Sequence, residues 1–392
     1  MTCKYKISKL ILLACLILPV ESCLEPISPA LKNSDSAASL VVAGQITNEV
    51  GPFRVKLTTS VPINVMYYVV PVLDADVRII DDKGNSFLLN GDDSGWYETE
   101  DKDLKGIPGN SYTLTITTKE GIQYESSPVL MQEVPDIDSL YFEEVENTKI
   151  AEGQVSLQNW LNILVNSHDP DGKTQYWSFE FEETWEVMML TDHVKVFYSQ
   201  EPPSFTFENV TIDDEKKICW VTKPSTSVLV TSTTNNSLDE IRKFNICSLG
   251  PGEDKLNIRY SILVKQSSIS KELYTFWKQL MDANENLAGI YGKIPAQVYG
   301  NIKSCDGSSN ALGYFSASAV KEKRLFIDRT QHNVETVSAY KGCSYFDYGL
   351  PSWIPKSYFG TIKGTDIKVY CSADYCADCR TYGTNVKPVF WK

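Results

Sequence analysis

The sequence predicts a mostly β protein: an N-terminal β-sandwich followed by a larger β-rich domain with one or two short helices. Three observations carry this expectation. Short runs of alternating apolar and polar residues recur at roughly 10-residue spacing between 39 and 130, each bounded by Gly, Asn, Asp or Pro. Aromatic residues make up 11% of the 392-residue chain, and aromatics favour strands. Helical periodicity shows in two short stretches only.

The chain opens MTCKYKISKLILLACLILPVESC. Lys4, Lys6 and Lys9 precede an apolar run from Leu10 to Val20, the pattern of a secretory signal. The run falls short of the about 20 apolar residues that span a bilayer, and no later stretch approaches that length, so no transmembrane helix is expected. Two cysteines compete to end the signal. Cys15 follows small Ala14 but leaves a stunted apolar region; Cys23 follows Ser22 after a full one. Cys23 is the expected lipidation site, with residues 1–22 as the signal peptide; an ordinary cleavage that leaves Cys23 free or bridged is the alternative. Acyl chains at Cys23 would anchor the protein to a membrane, at about 0.8 kcal/mol per buried CH2. Residues 24–38, LEPISPALKNSDSAA, show no periodic apolar face and read as a flexible tether, so that 23–38 is the lipidated linker.

Residues 39–134 form the expected sandwich. Leu40 to Ile46 is a strand. Phe53, Val55 and Leu57 alternate with polar partners and should face a core. Ala75 to Ile80 repeats the pattern, and Asp81-Asp82-Lys83-Gly84-Asn85 is a hairpin turn. The turn acids Asp81, Asp82, Asp92 and Asp93 offer hard oxygen ligands for calcium, but they lack calcium-loop spacing, and Asp is common in turns for its backbone geometry. Val134-Pro135-Asp136-Ile137 marks a boundary.

Residues 135–392 are the expected second domain. Leu161–Val165, Tyr176–Trp185 and Ile258–Val264 read as strands, with Trp177, Phe179 and Phe181 on one face of the second. Ser237-Leu238-Asp239-Glu240 has the form of a capping box and predicts a short helix carrying Ile241. Ser270 should cap a longer helix whose stripe Leu273, Phe276, Trp277, Leu280 and Met281 packs on a sheet.

Few residues suit catalysis. His168, His193 and His332 sit in no HExxH pattern, and no GxSxG elbow, P-loop or dinucleotide fingerprint occurs. His168-Asp169-Pro170-Asp171-Gly172 could be a metal or acid–base cluster, but a capped turn explains it more simply. Glu180, Glu182, Glu183 and Glu186 lie on one strand, where alternate residues stand about 7 Å apart, a glycosidase-like separation; a solvated strand face is the simpler reading. No catalytic residue, cofactor or metal is assigned, and the expectation is a non-enzyme.

Formal net charge is −13. The signal's three lysines and Glu21 contribute a net +2, leaving the mature chain near −15. That argues against nucleic acid or anionic lipid as partners, both of which demand a basic surface. Setting aside Cys3, Cys15 and Cys23 leaves seven of ten cysteines. An exported chain meets an oxidising compartment, so disulfides are the default there. Cys219, Cys247, Cys343, Cys376 and Cys379 are the candidates, with Cys219–Cys247 a plausible pair; connectivity and the odd cysteine stay open. The C-terminal Cys371, Cys376 and Cys379 also admit a zinc knuckle with Cys343, or free thiols.

The stretches DADVRIIDDKGN, SGWYETE and PGNSYTLTITTKEGIQY resemble transthyretin-like or immunoglobulin-like modules that precede many outer-membrane proteins. The set SCLEPIS, LVVAGQITNEVGPFRVKLTTS, RYSILVKQSSISKELYTFW, PAQVYGNIKS, LGYFSASAVKEKRLFI and CADCRTYGTNVKPVFW resembles the lipoproteins of domain-of-unknown-function family 4249. The resemblance implies an exported, lipid-anchored outer-membrane protein, often encoded beside a TonB-dependent β-barrel receptor, with the mature chain starting at the cysteine before "EP". It implies no catalytic or ligand residues. An accessory or ligand-capture role in TonB-dependent uptake is therefore the leading expectation, with a surface hydrolase of peptide or glycan, or an adhesive or envelope-structural protein, as alternatives.

Overall fold

Alternation builds the first strands. In Arg54–Thr59, Val55 and Leu57 are fully buried while Arg54 is exposed, and in Asp76–Asp81, Val77 and Ile79 are fully buried. The computed structural model describes residues 39–60, 69–151, 154–188, 193–201, 204–211, 214–287, 298–307, 310–337, 358–361, 368–371 and 378–392. The expected mostly β class holds.

The strands of the first part are β1 (Leu40–Thr47), β2 (Arg54–Thr59), β3 (Val70–Pro71), β4 (Asp76–Asp81), β5 (Ser86–Gly91), β6 (Trp96–Thr99), β7 (Ser111–Thr117), β8 (Gln123–Ser126) and β9 (Val129–Leu130). Then follow β10 (Ile137–Ala151), β11 (Gln154–His168), β12 (Tyr176–Met188), β13 (His193–Glu201), β14 (Ser204–Thr211), β15 (Ile218–Pro224), β16 (Leu229–Ser232), β17 (Glu240–Leu249) and β18 (Arg259–Ser268). Helix α1 (Lys271–Leu287) precedes β19 (Tyr299–Ser304), β20 (Asn310–Ser318), β21 (Val320–Asp328), β22 (Tyr358–Thr361) and β23 (Lys368–Cys371).

In the first sheet β3 pairs with β2 and β9 with β7, while nine strands run β1-β20-β19-β8-β7-β4-β5-β6-β2, and β1 also pairs with β2. The ring of pairings is thus closed, which leaves these strands no free edge. Residues 299–318 complete it: β20 lies parallel to β1, with Val42 opposite Gly313 and Gln45 opposite Ser316, and β19 pairs with β8. Gly313 is required there. Its φ is +89°, and a β-carbon would collide with the Val42 carbonyl, so no other residue lets the two backbones approach this way.

Local chemistry explains the turns. The Asp81 carboxylate accepts bonds from the backbone N–H of Lys83 (3.0 Å) and Asn85 (2.8 Å) and from Asn85 Nδ2 (2.8 Å), and Gly84 takes a φ of +84°. Asp92 accepts from the amides of Ser94 and Trp96 and from the Ser94 hydroxyl. These acids are therefore occupied with closing their own turns.

Two further sheets carry the rest of the core. One is β10-β11-β17; the other is β15-β12-β18-β21, with β16 also on β12. Inward residues of β12 and β18, including Trp177, Phe179, Tyr260, Ile262 and Val264, are fully buried. Phe179 stacks on Phe244 of β17 at 5.0 Å. A four-stranded sheet, β14-β13-β22-β23, completes the set.

The helix expected after Ser270 forms. Ser270 Oγ accepts the Leu273 N–H at 3.1 Å, a cap worth about 1 kcal/mol. Leu273 and Phe276 are buried against Ile269, with Trp277 and Leu280 packed beside them. The helix expected at Ser237 does not form. Residues 237–239 are a bend, and β17 begins at Glu240. Ile241 instead pairs with Ser167 on β11 and is 6% exposed, while the Asp239 carboxylate takes the Thr233 hydroxyl. Burying Ile241 and Ile246, with Phe244 partly buried against Phe179 beyond an irregularity in the β11 pairing, outweighs a capping signal of about 1 kcal/mol.

Candidate functional site

Because side chains alternate along a strand, Tyr176, Ser178, Glu180, Glu182, Thr184 and Glu186 all point outward from β12, away from the Trp177–Phe179 core. What covers this outward face changes along its length.

At one end lies α1. Tyr176 meets Tyr274 at 5.1 Å between ring centroids. Past it, Ser178 and Glu180 open into a cavity of about 420 Å³. Its walls are the apolar stripe of α1 (Leu273, Phe276, Trp277, Leu280), the outward residues Val41, Ala43 and Gln45 of β1, Tyr314, Ser316 and Ser318 of β20, and Ser267 of β18. Arg54 stands at the same cavity. A volume of this size, mostly apolar with a few polar groups, suits a small molecule.

Glu180 is the unusual member. Lys265 lies directly opposite on β18, but its ammonium is bonded to Glu49 at 2.7 Å. Arg54 is bonded to Glu98 at 2.6 Å. No hydrogen bond or ion pair holds the Glu180 carboxylate among the described residues. Solvent reaches the side chain, yet crowding by the surrounding protein pushes its carboxyl up, against the pull of Lys265 and with a further push from Glu49.

At the other end the face is filled. Glu182 sits 3.8 Å from Arg324, whose guanidinium lies 3.5 Å over Phe390. Thr184 is fully buried and bonded to Thr222 at 3.0 Å. Glu186 accepts the Trp391 indole N–H at 3.3 Å, and Trp391 packs edge-on against Trp220 and Phe326. Arg259 lies over both Phe326 and Trp391 and donates to the Lys392 carbonyl. Cys379 is disulfide-bonded to Cys219 of β15, 160 residues away, and Trp220 exchanges backbone bonds with Thr384.

That bond corrects the expected Cys219–Cys247 pair. Cys247 is a free thiol near Tyr260 and Glu183. Burial, with the Glu183 charge behind it, pushes its pKa up to about 12, so it is no nucleophile. Glu183 itself faces inward, bonded to Lys255 at 2.9 Å and Tyr260 at 2.9 Å. A zinc knuckle using Cys379 is excluded by its disulfide, and no group of three or more His, Cys, Asp or Glu is placed for a metal among the described residues. Cys305 is an exposed free thiol. Cys23, Cys343 and Cys376 lie outside the described residues, as does the side chain of Cys371.

The other sequence-marked groups do not converge. His168 bonds Asp138 at 2.8 Å on an exposed surface; this bond pushes the imidazole pKa up. Asp169 accepts from the amides of Asp171, Lys173 and Thr174, the turn reading of that cluster. A second cavity of about 490 Å³ borders Asp169 and Asp171, but Asp169 is spent on the turn and Asp171 is paired with Lys173 at 3.0 Å. His332 is 5% exposed with neither ring nitrogen hydrogen-bonded. The four glutamates of β12 divide among a cavity wall, an arginine neighbour, an inward ion pair and a tryptophan. The cavity residues on β1 and β20 carried no signal in the sequence, since outward strand residues look like ordinary surface.

No helix among the described residues is long and apolar enough to cross a membrane. No curated protein matches the chain. A family model described as "Domain of unknown function (DUF4249)" matches residues 24–324, which takes in β1, β12, α1 and β20 and stops before the C-terminal segment that fills the far end of the β12 face. The chain belongs to the DUF4249 family.

Proposed function

We propose that this protein is a lipoprotein anchored through Cys23 in the outer membrane, where it captures a small ligand and serves as an accessory to a TonB-dependent β-barrel receptor. The observation that carries the capture role is the apolar cavity between α1, β1, β12 and β20, with an unpartnered carboxylate in its wall. A concave, mostly apolar wall of this size with one carboxylate on it suits a small molecule. The anchor is supported by the Lys-rich start, the apolar run before Cys23 and the Pro-rich tether; the receptor partnership rests on the family resemblance.

The test is recovery of the native protein from membranes in mild detergent with an antibody against its folded body, since Trp391 and Lys392 are engaged and a C-terminal tag would disturb them. A stoichiometric β-barrel receptor in the eluate is the expected result. An eluate holding the bait alone contradicts the accessory role. Replacing Cys23→Ala should move the protein from the membrane fraction to the soluble fraction, and retention of the variant in membranes would contradict the anchor.

A further inference from the structure

Building on the capture role just proposed, we infer that the ligand of the α1 cavity is an organic cation, an ammonium or guanidinium group carried on an apolar body. The charges around the cavity lead there. Arg54 is neutralised by Glu98 and Lys265 by Glu49, which leaves Glu180 as the one carboxylate at the wall with no bonded partner among the described residues. An anionic ligand would meet that charge with no unpaired cation among the described wall residues to offset it. A neutral apolar ligand would cover the carboxylate without bonding it, and a buried acceptor left unmade is unfavourable. A cation satisfies it with a charge-assisted bond.

The walls agree with this choice. Phe276, Trp277 and Tyr314 bring three aromatic rings to the cavity, and an aromatic face attracts a cation through its quadrupole. Phe276 and Tyr314 support each other at 5.2 Å, and Phe276 and Trp277 at 5.6 Å, so these rings are positioned before any ligand arrives. Leu273 and Leu280 would receive the apolar body.

The experiment is isothermal titration of the full chain carrying Cys23→Ala, so that no acyl chain competes for apolar probes. Three probes share one body and differ in charge: 4-phenylbutylammonium, 4-phenylbutanol and 4-phenylbutanoate. The ammonium should bind about tenfold more tightly than the alcohol, and the carboxylate most weakly. Glu180→Gln should abolish the preference for the ammonium over the alcohol. Trp277→Ala should weaken all three. Equal affinity for the three probes, or a preference that survives Glu180→Gln, overturns the cation assignment and leaves capture standing. No binding of any probe at millimolar concentration, or affinities indifferent to Trp277→Ala, overturns capture at this cavity as well.

Discussion

Glu180 and Glu186 stand on the same face of the same strand and have opposite surroundings. Glu186 is covered by Trp391, which donates to it and is itself enclosed by Trp220, Phe326 and Arg259. Glu180 faces a cavity and has no bonded partner among the described residues. One end of the face is closed by a segment about Trp391, 205 residues from Glu186, that a disulfide from Cys379 to Cys219 fixes; the other is roofed by a helix that leaves a cavity beneath it. The difference teaches that residue type does not mark a site. What separates a structural glutamate from an available one is whether the protein supplies its partner.

The strongest way to break the closed end is to remove the disulfide. Cys219→Ser should lower unfolding stability by about 3–5 kcal/mol, because the link closes a very long loop in the unfolded chain. Urea unfolding at constant m value reads this directly. A loss under about 1 kcal/mol would show that packing alone holds the segment. The open end should not respond, so probe affinity should stay within about twofold of the parent protein.

Trp391→Ala attacks the same end through packing. It removes a buried indole together with its rings' contacts and should cost about 3 kcal/mol, again read by urea midpoint. A smaller loss would mean that the segment lifts away and water replaces it.

Acidification acts on two histidines whose pKa shifts have opposite signs. Burial pushes the His332 pKa below its ordinary 6.5, with Arg329 adding to the drop, while Glu144 and a nearby Leu256 backbone group that completes no hydrogen bond pull the other way. The unfolded chain therefore binds the proton more readily. His332's contribution is fully present above about pH 6.5 and is lost as pH falls through that value toward its folded pKa. His168 has the opposite sign: its bond to Asp138 raises its pKa, so its contribution is complete below about pH 6.5 and fades as pH rises through the folded value. Stability measured from pH 7 to 5 should thus fall less steeply in His332→Gln than in the parent, and more steeply in His168→Gln. An unchanged slope in His332→Gln would contradict its neutral burial.

The smallest effect sharpens the comparison most. Glu186→Ala leaves the Trp391 indole N–H without its acceptor and should cost about 1–2 kcal/mol. Glu180→Ala removes a carboxylate that no described residue bonds, and stability should change by no more than about 0.5 kcal/mol, or rise slightly. Equal losses at the two positions would dissolve the distinction between them.

Much of this was legible in the chain itself, for local reasons. Phe53, Val55 and Leu57 alternate and are buried; Asp81 to Asn85 carries its own turn chemistry; Ser270 and the stripe from Leu273 announce α1. These features depend on neighbours in sequence. The failures were non-local. The capping pattern at Ser237 lost to pairing of Ile241 with Ser167. The closing of the first ring by Tyr299–Ser304 and Asn310–Ser318 cannot be seen from β1, and the Cys219–Cys379 bond spans too long a loop for spacing to suggest it. The cavity was hidden for a further reason: Val41, Ala43 and Ser178 read as the solvent side of strands until α1 is placed over them.

The most direct measurement is a crystal structure of the protein soaked with 4-phenylbutylammonium. The account predicts the ammonium about 3 Å from the Glu180 carboxylate, with the phenyl ring among Phe276, Trp277 and Leu280 and the Trp391 end unchanged. A probe bound in that cavity with its ammonium turned away from Glu180, or an empty cavity with the probe seated elsewhere, would contradict it.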